Sequence, residues 1–76
     1  MDKEFLIDQS QWPNSNGMRY CCLKKEQENA FILSCDNPTM TGEIIVSLGI
    51  VFDGGTGETV AFDSVDDLLK DGWIVD

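Results

Sequence analysis

The sequence predicts a small α+β domain: an antiparallel sheet of four to five strands with one short C-terminal helix packed on it. Three observations carry that expectation. From Glu43 onward the even positions Ile44, Val46, Leu48, Ile50 and Phe52 are all apolar while the odd ones are mixed, which is the period of two of a half-buried strand. Residues 18–25 and 29–35 are two apolar-rich runs around Glu26, Gln27 and Glu28, the pattern of a hairpin. Ser64 precedes Val65, Leu68 and Leu69 at helical spacing, with Asp67 three residues after it as in a capping box.

In chain order, residues 3–7 read as a short first strand, and residues 8–17 as a loop rich in turn formers: Pro13, Asn14, Ser15, Asn16 and Gly17. Trp12 on that loop is expected to anchor onto the core, because a small core recruits every large side chain available. In the second strand of the hairpin Phe31, Leu33 and Cys35 share one face and Ala30, Ile32 and Ser34 the other. Both faces carry apolar residues, as in a central strand or an interface. Asp36, Asn37, Pro38 and Thr39 break the chain before the long alternating strand, in which Gly49 marks a bend that splits it into two. A glycine-rich turn at 53–57 leads into residues 58–62, whose Val60 and Phe62 are expected to meet the core. The helix then opens at Ser64 and stops at Gly72, and Trp73, Ile74 and Val75 leave as an extended tail or last strand.

The expected core is Phe5, Tyr20, Phe31, Leu33, Ile44, Val46, Leu48, Ile50, Phe52, Val60, Phe62, Val65, Leu68, Leu69 and Trp73. Seventy-six residues make one domain, 1–76, in which folding buries only about 60% of the chain's surface. A deep pocket with supporting residues behind it rarely fits such a frame, so binding by a surface is expected rather than catalysis. The longest apolar run, 44–52, is interrupted by Ser47 and Gly49 and is too short to cross a bilayer. No basic, apolar leader opens residues 1–15, so the expected location is cytoplasmic.

Charge is split along the chain. Residues 1–25 hold four cations against three acids, and residues 26–76 hold Lys70 alone against eleven acids, net −10. Such a field repels nucleic acid and anionic membranes and attracts basic partners. Arg19, Lys24 and Lys25 are the one basic cluster, divided between two strand faces, so direct nucleic-acid binding is not expected.

Candidate chemistry is sparse. Cys21, Cys22 and Cys35, without any histidine or Cys-x-x-Cys pair, read as reduced buried thiols in a cytosolic protein rather than a zinc site or disulfide frame. Asp53-Gly54-Gly55-Thr56-Gly57 resembles the Asp-x-Gly-Gly-Thr phosphate hairpin of sugar kinases and their actin-like relatives. It lacks the residue after the aspartate and sits in a chain several times too short for that two-domain fold, so a plain glycine-rich hairpin is expected. Asp53, Glu58, Asp63, Asp66 and Asp67 do not follow the EF-hand spacing, and no nucleophile stands beside a base. No catalytic residue, cofactor or metal ligand is therefore assigned.

What remains is the acidic surface. Glu58, Asp63, Asp66, Asp67, Asp71 and Asp76 are the expected partner-binding residues, drawn to a basic protein surface and standing in for phosphates. In size and charge the chain is similar to phage-encoded or mobile-element antagonists, which implies an inhibitor of a nucleic-acid-binding complex. The alternative is a structural subunit that forms a homodimer or small assembly through apolar strand faces, its acids serving solubility.

Overall fold

A computed structural model describes residues 2–76. Six strands form one antiparallel sheet: β1 (Asn14–Ser15), β2 (Met18–Lys25), β3 (Glu28–Leu33), β4 (Ile44–Leu48), β5 (Thr59–Phe62) and β6 (Ile74–Val75). The order is β1-β2-β3-β4-β5, and β6 lies on the same outer side of β2 as β1, opposite Leu23 and Lys24. Helices α1 (Asp2–Ile7) and α2 (Val65–Lys70) contact each other and cover one face. The expected α+β sheet with a short C-terminal helix is thus present, with an additional helix at the start.

Strand register decides which side chains meet. Cys21 pairs with Ile32, Leu23 with Ala30 and Val75, Ala30 with Leu48, and Val46 with Val60, so these residues share the helix-covered face. There Cys21, Leu23, Ala30, Ile32 and Val46 join Leu6, Trp12, Met40, Ile44, Val65, Leu68 and Trp73 in one buried cluster, with Leu48 and Val75 half-buried against it. Trp12 is the anchor its size predicts: its indole N–H donates to the Phe5 carbonyl at 2.9 Å. Helix α2 begins as expected, Ser64 Oγ accepting from the Asp67 N–H at 3.1 Å, and buries Val65 and Leu68.

Several expectations are corrected. The segment expected as a first strand is helix α1, where Leu6 is fully buried and the Asp2 carboxylate accepts from the Val75 N–H at 3.1 Å, fastening the helix to β6. The loop expected over 8–17 contains a 3-10 turn at Gln9–Gln11 and strand β1, which turns into β2 through Asn16 and Gly17, both at positive φ. The long alternating strand stops at Leu48. Gly49 takes φ 104, its N–H donates to the Asn29 carbonyl at 2.9 Å, and the chain leaves the sheet to make a 3-10 turn at Val51–Asp53. Ile50 and Phe52 are therefore outside the core, at 51% and 83% exposure, and Val60 near the sheet edge is 39% exposed.

Tyr20, Phe31 and Leu33 lie on the opposite face from the main core, since Tyr20 pairs with Leu33 and Cys22 with Phe31. Phe31 is nevertheless buried, because the connection between β4 and β5 folds back under it at Gly55. Cysteine burial is likewise graded rather than uniform: Cys21 is buried, Cys22 half-buried and Cys35 exposed, and all three are free thiols.

Candidate interaction surfaces

The six acidic residues singled out from the sequence do not form one patch. Asp63, Asp66 and Asp67 gather at the corner where β5 turns into α2, all exposed. Asp66 pairs with Lys3 at 2.9 Å, but both side chains remain more than half exposed, so solvent screens the pair. Asp71 caps the far end of α2 and pairs with Lys25 at 3.1 Å, whose ammonium also lies 5.9 Å from the Trp73 ring centroid. Glu58 stands at the entrance to β5. Asp76 sits beside β2, where its N–H donates to the Cys22 carbonyl at 2.9 Å. Among the described residues these are the only two ion pairs, so most of the negative charge is uncompensated within the fold.

The glycine-rich turn does not cradle phosphate. The N–H groups of Asp53, Gly54, Gly55 and Thr56 donate to the carbonyls of Ile50, Val51, Ile50 and Leu48, which leaves none of these four for a ligand. Asp53 is tied inward as well, its carboxylate accepting from Gly55 N–H at 3.1 Å. Among the described residues no group of three His, Cys, Asp or Glu is placed to hold a metal ion.

The thiols are quiet. Burial pushes Cys21 up to about 12, with Cys22 and Asp2 adding to the effect. Cys22 is raised in the same direction, first by burial and then by the Asp76 carboxylate. Neither is activated as a nucleophile at neutral pH.

Two features escaped the sequence reading. One is an apolar patch on the face away from the helices. Phe52 projects into solvent against Tyr20, ring centroids 6.1 Å apart and edge-on, above a groove of about 200 Å³ lined by Cys22, Ile50, Val51, Phe52 and Asp76. Ile74, 52% exposed, pairs with Lys24 on the same face. The patch arises because β4 ends at Leu48 and Gly49 turns the chain out of the sheet instead of bending a continuing strand. The other is the outer edge of β5, next to which no further strand lies among the described residues.

The chain matches no protein-family model, no characterised protein and no solved structure. Surface chemistry alone therefore bears on its function.

Proposed function

We propose that the protein is a non-enzymatic interaction domain that engages a basic protein surface, acting as an inhibitor that occupies the phosphate-binding surface of a nucleic-acid-binding complex. The observation that carries this reading is the exposed acidic corner of Asp63, Asp66 and Asp67, with a single solvent-screened lysine partner. Glu58 and Asp71 extend that charge along β5 and α2, and Asp76 carries it to the opposite face. Three free thiols suit a reducing compartment, which favours a cytoplasmic setting.

The test is capture of a basic partner from source-cell extract, at roughly 0.05 and 0.5 M salt, by wild type and by a variant with Asp63, Asp66, Asp67 and Asp71 changed to Asn. Retention by wild type at low salt only, and loss in the variant, is expected. Equal retention by both proteins, or retention indifferent to salt, overturns the proposal. The variant is expected to stay folded, because the α2 cap uses the backbone N–H of Asp67 and not its carboxylate.

A second reading, self-association into a homodimer, is favoured by one observation: Phe52 is 83% exposed beside Tyr20 on an otherwise half-apolar face. Sedimentation over a range of concentrations decides it. A dimer that Phe52→Asp dissociates supports the second reading, and a strict monomer removes it.

A further inference from the structure

We infer that the outer edge of β5 is a strand-docking site, at which an extended segment of a basic partner adds to the sheet. This rests on the basic-partner reading above and specifies how that partner engages.

The outer strands are β5 on one side and the two-residue β1 and β6 on the other, so among the described residues β5 offers the longest open edge. On β2 the outer side is taken at one end by β1, through Arg19 and Met18, and at the other by β6, through Leu23 and Lys24. On the opposite side β5 pairs inward with β4 and has no outer neighbour among the described residues. Register fixes what that edge presents. The Glu58 carbonyl accepts from the Leu48 N–H at 3.0 Å, and the pairs Val46 with Val60 and Ile44 with Phe62 follow at steps of two. Val60 and Phe62 therefore turn their backbone groups toward β4, while Thr59 and Ala61 turn theirs outward. Among the described residues no turn, loop or cap hydrogen bond reaches the backbone of Thr59 or Ala61, and both residues are exposed.

Natural sheets blunt an open edge with lysine, proline, a bulge or an inward charge. Residues 59–62, Thr-Val-Ala-Phe, carry none of these. Two N–H donors and two carbonyl acceptors are thus offered in strand geometry, with a partly exposed Val60 beside them.

Charge selects the occupant. Glu58 precedes the strand and Asp63 follows it, with Asp66 and Asp67 just beyond. An antiparallel second copy, registered with Ala61 opposite Thr59, would set each Glu58 one residue from the other copy's Asp63, like charge against like. A partner strand with an uncharged centre and a Lys or Arg at each end meets those carboxylates instead. Glu58 and Asp63 are five residues apart, so the two cations should be separated by about 16 Å of extended chain.

The test is amide hydrogen exchange by NMR on the full chain, with the synthetic peptide acetyl-Lys-Val-Thr-Val-Thr-Lys-amide and a control in which both lysines are glutamates. At saturating lysine peptide the outward amides of Thr59 and Ala61 should exchange at least about tenfold more slowly, while the glutamate peptide leaves them unchanged. Ala61→Pro should abolish binding yet preserve the folded spectrum, since its N–H takes no part in the β4 ladder; the exchange measurement on wild type needs no variant if this one unfolds. Shifts confined to Asp63, Asp66 and Asp67, with Thr59 and Ala61 unprotected, overturn strand addition while leaving the basic-partner reading standing. Absence of any response overturns the strand site, and the four-residue Asn variant then judges the broader reading by itself. Protection of Thr59 and Ala61 that grows with protein concentration without peptide would make a second copy the occupant and overturn the inference.

Discussion

Asn37 and Ile45 are joined by two hydrogen bonds that replace a rung of the sheet. The Ile45 N–H donates to Asn37 Oδ1 at 2.7 Å, and Asn37 Nδ2 donates to the Ile45 carbonyl at 3.0 Å and to the Leu33 carbonyl at 3.0 Å. Continued, the β3–β4 register of Ala30 with Leu48 and Phe31 with Ser47 would set Ile32 opposite Val46 and then Leu33 opposite Ile45. The Asn37 amide stands in that place instead, 2% exposed, with both its oxygen and its nitrogen hydrogen-bonded.

Asn37→Leu should therefore cost at least ~2 kcal/mol, because it strands one buried donor and two acceptors, and the loss should appear as a lower urea midpoint. Asn37→Asp separates geometry from hydrogen bonding. Its carboxylate would face two carbonyls in a buried site, which raises its pKa in the folded state above the unfolded value of about 3.9. The sign follows: the variant's deficit relative to wild type is smallest below about pH 4 and grows as pH rises through the raised value. A pH-independent difference between the two proteins would show that the Asn37 amide does not bridge the strands.

Phe31 and Phe52 test the two sides of the β4–β5 connection. Phe31 is buried beneath Gly55, whereas Phe52 is 83% exposed with an edge-on contact to Tyr20. Phe31→Ala should destabilise by ~3–5 kcal/mol and Phe52→Ala by under ~1 kcal/mol, as read by chemical denaturation. Comparable losses from both would mean that Phe52 is packed.

Elements with a strong local signal were legible in the sequence, and those settled by long-range contacts were not. Helix α2 was readable because Ser64 caps it and Val65 and Leu68 fall on one stripe. Strand β2 was readable for its length, from Met18 to Lys25. Helix α1 was not, since its apolar residues Phe5, Leu6 and Ile7 are consecutive rather than at helical spacing, and its state is decided by Leu6 in the core and Asp2 on Val75. The alternation through Phe52 misled because the period of two continues past Gly49, where the backbone turns out of the sheet. Of the candidate surface, the acids at the β5–α2 corner were legible as composition. The β5 edge and the Phe52 patch depend on which strands end up as neighbours, which no local pattern encodes.

Gly54 and Gly55 differ in what surrounds them, and that difference is measurable. Both have positive φ, 85° and 76°, so an alanine at either costs ~1–2 kcal/mol in backbone strain. At Gly54 a Cβ meets nothing within 4 Å. At Gly55 it would lie 2.6 Å from the Leu48 carbonyl oxygen and 2.9 Å from Phe31 Cε1, neither of which can move without opening the sheet or the aromatic packing. Gly55→Ala should therefore cost roughly 2 kcal/mol more than Gly54→Ala, and equal urea midpoints would contradict the close approach of this loop to Phe31.

Cys21 sets an alkaline limit on stability. Its thiol is pushed from the ordinary value of 9.0 to about 12, chiefly by burial, so between these limits the unfolded chain sheds a proton that the folded chain retains. The contribution is fully present below pH 9 and is lost as pH rises toward 12, by at most ~4 kcal/mol. Cys22, raised in the same direction, adds to the loss. Cys21→Ala lowers stability at every pH by the packing it removes, but its unfolding free energy should fall less between pH 8 and pH 10.5 than that of wild type, by about 2 kcal/mol. Every other group is common to both proteins, so the difference between the two slopes reports on the thiol. Parallel slopes would mean that Cys21 ionises in the folded state as easily as in the unfolded chain, which its burial among Leu23, Ile32 and Val46 does not permit.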